Sequence, residues 1–223
     1  MPGGWTMSMA WMRMPGQTWA GAGASFVGMW LVMMVAMMLP SLVAMLSRYR
    51  QAVGSPGKPR LNQLTVLVGL AYFFVWTMFG LVAFPLGIAL ATIEMQQATL
   101  SRAVPVATGV VVIIAGVLQF TAWKARHLAC CREAPGPGRM LAANARTALR
   151  HGLRLGLHCA QCCVGLIAIL LVIGVMDLRA MGIVAAAVTV ERLAPSGEHI
   201  ARVIGVVIVG AGLFLIARAM GLV

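Results

Sequence analysis

Five cysteines bring most of the reactive chemistry in this sequence, and their spacing groups them. Three lie in His158-Cys159-Ala160-Gln161-Cys162-Cys163 and two in His127-Leu128-Ala129-Cys130-Cys131. On a helix, Cys159 shares a face with Cys162 at i+3 and with Cys163 at i+4, and His158 pairs with Cys162 at i+4. His127 and Cys131 repeat the i, i+4 relation, with Cys130 beside them. Three thiols and an imidazole from one helix, met by a His–Cys pair from another, form one shared donor set. Thiolates select soft or borderline ions such as copper(I) and zinc. The plainer reading is packing, since free cysteine is commonly buried and inert, and Cys130 alone fits that reading best.

Methionine is the second soft donor, with 17 in 223 residues. Met7, Met9, Met12 and Met14 alternate with Trp5, Trp11 and Trp19 near the start of the chain, and Met34, Met37, Met38 and Met45 share a helical face further on. Thioethers form no disulfides, so they suit copper(I) capture on an oxidising side. The competing reading places the Trp residues at headgroup level, with Met filling gaps and the helical Met stripe acting as core. The arrangement nevertheless has a direction. Methionine comes first and midway, and cysteine follows, which is the order that incoming copper(I) would need.

The elements that must hold these residues are membrane helices. The chain is 61% apolar and 10% charged, with a mean hydropathy of +0.93; a soluble domain is about a quarter charged. Against the roughly 20 residues needed to cross a bilayer, apolar runs place spans at Phe26–Leu46, Leu64–Ile88, Val104–Trp123, Leu157–Met176, Leu178–Leu193 and Ile200–Ala217. The fifth is short and carries Arg179 and Glu191 near its ends, so it reads as a span or as a re-entrant or interfacial helix. The expected fold is therefore all-α: a polytopic bundle of about six membrane helices. Residues 1–25 form a Met/Trp-rich outer tail and 26–223 one transmembrane domain with a basic loop at 124–156.

The net charge of +12 raises the question of nucleic acid, but the basic residues follow the loops instead of forming a patch. Arg48, Arg50, Lys58, Arg60, Lys124, Arg126, Arg132, Arg139, Arg146, Arg150, Arg154, Arg192 and Arg202, 13 of the 17, fall on one side. That side is expected to be cytoplasmic, with both termini facing out of a plasma (inner) membrane. No basic n-region followed by an apolar h-region occurs in the first 23 residues, so no cleavable signal is expected. All five cysteines then lie near the reducing side, where structural disulfides are disfavoured. Residues Arg139–Arg154 read as a basic amphipathic helix on the anionic inner leaflet.

The run Ala115–Lys124 through His127–Arg132, the Met33–Ser41 stretch, the Gly156–Cys163 box, Gly174–Met176 and Glu191-Arg192 together resemble a bacterial family of predicted metal-binding integral membrane proteins, a domain of unknown function. The likeness covers about Phe26 to Leu213, in order. It implies a membrane metal site at Cys131, Cys159, Cys162 and Cys163. The family usually has Cys at His127, His at Leu155, Gly at Gln161, Trp at Val164 and Lys at Arg192; the first exchange keeps a ligand but hardens it.

No ionisable residue is expected near the middle of the clearer spans, which disfavours proton coupling. No phosphate-binding Gly-x-x-x-x-Gly-Lys-Ser/Thr loop occurs, and no nucleophile–base grouping is legible, so no enzyme is expected. The leading expectation is binding and transfer of copper(I), with zinc as the other candidate ion, for delivery to a partner metalloprotein or membrane complex. The alternatives are a membrane thiol–disulfide protein using Cys159, Cys162 and Cys163, and a structural subunit in which Met and Cys only pack helices.

Overall fold

Each apolar run forms a helix, and no strand occurs among the described residues of the computed structural model, which are 16–54, 57–96, 98–133, 136, 140–174, 177–194 and 196–222. Seven helices follow in order: α1 Trp19–Val53, α2 Lys58–Gln96, α3 Ala98–Leu118, α4 Ala122–Glu133, α5 Ala145–Ile173, α6 Leu178–Leu193 and α7 Gly197–Ala219. Met7, Met9, Met12, Met14, Trp5, Trp11 and Arg139 lie outside the described residues.

Local sequence sets the helix ends. The Thr18 hydroxyl accepts from the Gly21 amide at 3.1 Å to open α1, and the helix stops at Gly54, whose φ of +76° suits a residue without a Cβ. Asn144 caps α5 by accepting from Thr147 N at 2.8 Å, and Asp177 caps α6 through the amides of Arg179 and Ala180.

α1 buries Phe26, Trp30, Met33, Met34, Met37, Met38, Leu42, Met45 and Tyr49, a stripe at three- and four-residue intervals. Trp30 Nε1 donates to the Trp76 carbonyl at 3.0 Å, tying α1 to α2. α5 comes against α2 through two glycines one turn apart. A Cβ on Gly152 would stand 2.5 Å from the Val68 carbonyl oxygen, and one on Gly156 would stand 3.0 Å from that of Tyr72. Backbones this close are what a small-xxx-small pattern permits.

The α3–α7 pair is joined the same way, by Gly109 and Gly116 against Gly212 and Gly205. The pattern Ala201-x-x-x-Gly205, which could have marked an oligomer contact, is used inside the chain: Ala201 is buried, and a Cβ on Gly205 would meet Gln119 and Phe120.

Among the described residues four helices are long and apolar enough to cross a membrane: α1, residues Lys58–Ile93 of α2, α5 and α7. The segments Ala103–Leu118 and Ala122–Arg132, bent by 64°, make a fifth if taken as one broken span. The expected third span therefore ends at Leu118, and Trp123 belongs to the bent continuation. α6, with 16 residues, is about 24 Å long against a hydrocarbon core of about 30 Å. The expected count of about six thus becomes four, or five with the bent pair.

Two further expectations change. Residues 145–154 are the first turns of the helix that carries the cysteine box, not a separate helix along the leaflet. Ala148 and Gly152 are buried against α2, and His151 stacks on Tyr49 at 5.2 Å, so packing keeps this basic stretch upright. The segment 124–156, expected as a loop, is likewise largely helical, since α4 runs to Glu133 and α5 begins at Ala145.

Candidate metal centre

Cys159 stands midway along α5, whose ends are Ala145 and Ile173, and its sulfur points inward among α1, α2 and α6. The Gly152–Gly156 contact brings α2 close enough for Tyr72 Oη to share a 2.7 Å hydrogen bond with Cys159 Sγ. From α1, Met38 Sδ lies 4.0 Å from the same sulfur. One turn on, Cys162 Sγ and Cys163 Sγ are 3.7 Å apart. The break between α3 and α4 turns Cys131 inward, into the same buried cluster as Cys159, Cys162 and Cys163. All four of these cysteines are buried, none is oxidised, and Cys130, the next residue in α4, is exposed.

At the centre is a side chain expected among the flanking charges of the cytoplasmic side. Arg192 Nη2 lies 3.0 Å from Cys159 Sγ, 3.1 Å from Cys162 Sγ and 3.0 Å from Cys163 Sγ. Its neighbour Glu191 is held firmly: Lys124 Nζ donates to Glu191 Oε2 at 2.7 Å and Gln119 Nε2 to Oε1 at 2.9 Å. Lys124 Nζ also donates to the Cys162 carbonyl at 2.6 Å, joining this ion pair to the cysteine box. Lys124, Glu191 and Arg192 are 3%, 1% and 5% exposed, which corrects their placement among surface charges. Glu191, near the end of α6, is a buried carboxylate paired with a cation.

The histidines form a flank. His127 Nδ1 and His158 Nδ1 are 3.1 Å apart, both half-buried, and Trp123 packs edge-on against His127 at 4.8 Å. Met34 and Met37 belong to the apolar core around the site, in which Met38 reaches a sulfur. The structure thus brings together Cys131, Cys159, Cys162, Cys163 and Met38, sets His127 and His158 to one side, and leaves Cys130 facing outward. It adds Arg192, Tyr72, Lys124, Glu191 and Gln119. The signal for two of these was present, since Glu191-Arg192 matches the Glu-Lys mark of the resemblance.

The donor chemistry suits a soft ion. With metal–sulfur bonds of about 2.3 Å, tetrahedral ligands stand about 3.8 Å apart, close to the 3.7 Å between Cys162 and Cys163. Among the described residues no three or more His, Cys, Asp or Glu form a ready-made cage; the guanidinium nitrogen stands within the sulfur triangle instead.

A sequence model of the family PpoB2, described as copper chaperone, matches residues 27–215. No curated protein and no solved structure matches the chain.

Proposed function

The chain belongs to the PpoB2 copper chaperone family, and from that premise we propose that it binds copper(I) within the membrane and delivers it to a partner metalloprotein. Cys159, Cys162 and Cys163 hold the ion and Cys131 completes the set. The observation that carries this reading is that three buried thiol sulfurs from a little over one turn of α5 converge on a single atom at 3.0–3.1 Å. Soft thiolates in a buried site favour copper(I).

A direction for the cargo follows from the neighbours. Met38, at 4.0 Å from Cys159, links the methionine-lined face of α1 to the sulfur triangle, so an ion arriving along thioethers meets thiolates next. The half-buried His127–His158 pair offers a harder, more exchangeable exit beside Cys162. In this reading the protein is a multi-pass protein of the plasma membrane, with the basic end of the bundle toward the cytoplasm.

The test is metal content after purification in detergent under anaerobic, reducing conditions. The wild type should carry close to one copper per chain, and the combined Cys159→Ser, Cys162→Ser, Cys163→Ser variant should carry none while remaining monodisperse. Stoichiometric zinc in place of copper would keep the site and overturn the cargo. No metal in the wild type after copper(I) is supplied would overturn both.

A further inference from the structure

The sulfur triangle is filled by the protein's own cation. Arg192 Nη2 is nearly equidistant from three sulfurs, so it lies on the axis that an ion bound equally by all three would occupy. An ion about 2.3 Å from each of these sulfurs lies on the same axis, where the guanidinium and the ion are like charges competing for the same three sulfurs.

The rest of the guanidinium is poorly served. Arg192 Nε and Nη1 are buried with no hydrogen-bond partner, whereas buried donors are nearly always satisfied. Apart from a long contact from Nη2 to the Cys159 carbonyl at 3.4 Å, the sulfurs alone hold this head group. The residue beside it is the opposite case: both carboxylate oxygens of Glu191 are engaged, by Lys124 and Gln119. The backbone at 191–192 is thereby pinned while the long Arg192 side chain ends in a group with one strong attachment. Such a side chain can leave the triangle without moving α6.

We propose that Arg192 is an internal competitor for the metal. It fills the sulfur triangle when the protein carries no cargo, withdraws on loading, and by returning promotes release to the acceptor. On loading, Arg192 leaves the triangle, each coordinating sulfur that is still a thiol gives its proton to water as its bond to copper forms, and no electron is moved; release reverses these steps. This rests on the copper reading above and gives it a release step, which a site of thiolates alone would lack, because an ion held by three buried sulfurs leaves slowly.

The experiment compares wild type with Arg192→Gln and Arg192→Leu, each loaded with copper(I) in detergent without oxygen and then mixed with excess bathocuproine disulfonate, a water-soluble copper(I) chelator. Copper per chain is measured in each, and release is expressed per copper bound. Release should be slower in both variants by about ten-fold or more, the loss of a charged competitor for the sulfurs. A structural or counter-ion role for Arg192 requires the opposite, weaker binding and faster release, so release equal to or faster than wild type overturns the proposal. The two substitutions differ in polarity, and monodisperse elution decides which of them reports. A wild type that binds no copper would instead remove the copper reading itself, and that outcome is separate from one in which all three chains bind and Arg192 makes no difference.

Discussion

The α2–α5 seam and the α3–α7 seam are closed by the same device, glycines set where a Cβ would strike the facing backbone, yet they carry different loads. Across α2–α5 the residues beside the glycines are Tyr72 and Cys159, which hydrogen-bond at 2.7 Å. Across α3–α7 Gly109, Gly116 and Gly212 face Ile216, Val209 and Ile113, an aliphatic contact, and Gly205 faces Gln119 and Phe120 just beyond the end of α3. Close approach by itself is a framework. It becomes a site where the next turn presents polar or sulfur side chains, and the Lys124–Glu191 pair, from α4 and α6, joins that site to the rest of the bundle.

The largest way to break this contrast is Lys124→Met. It leaves the Glu191 carboxylate buried with Gln119 as its remaining partner, and breaking a buried pair costs about 3–5 kcal/mol. Thermal unfolding in detergent should show a large fall in midpoint, with little monodisperse protein recovered. Smaller and more discriminating is the pair Gly152→Val and Gly116→Val. Each overpacks a helix contact at about 1–3 kcal/mol, so both should lower the unfolding midpoint. Copper per folded chain should fall only for Gly152→Val, because only that seam sets the Tyr72–Cys159 contact; equal loss in both would mean that the two seams are not separable. The smallest effect belongs to Tyr72→Phe, which removes one hydrogen bond worth about 1 kcal/mol. Its unfolding midpoint should barely move, while the affinity measured by copper(I)-chelator competition shifts several-fold.

The helices and the grouping of Cys159, Cys162 and Cys163 were legible because both depend on spacing within one segment. The place of Arg192 was not: it meets those cysteines from 29 to 33 positions away along the chain, and at the end of a short apolar run it looks like an ordinary surface charge. Lys124 misled for the same reason. Hydropathy places a charge at the edge of a span, whereas the 64° bend after Leu118 folds that edge inward. The bend itself carries no proline; it is made by successive tight turns at Gln119, Phe120 and Thr121, and the Thr121 hydroxyl accepts from the Lys124 amide to start the next helix. The basic turns before the cysteine box were read as a separate surface helix because their charge suggested an interface. The backbone runs straight through, since Gly152 and Gly156 serve as packing surfaces and not as breaks.

The three interior charges also bear on how the chain is made. A lysine, glutamate or arginine in the middle of a lone helix costs roughly 2.5–3.5 kcal/mol to place in lipid; here the charges sit near helix ends, Lys124 opening α4 and Glu191 and Arg192 closing α6, yet all three are buried in the folded bundle. Lys124 of α4 finds its partners, the Cys162 carbonyl and the Glu191 carboxylate, in α5 and α6, so its charge is compensated only once both later helices have been synthesised and packed. Biogenesis of the C-terminal half thus becomes a single cooperative step, completed only after residue 192 has left the ribosome.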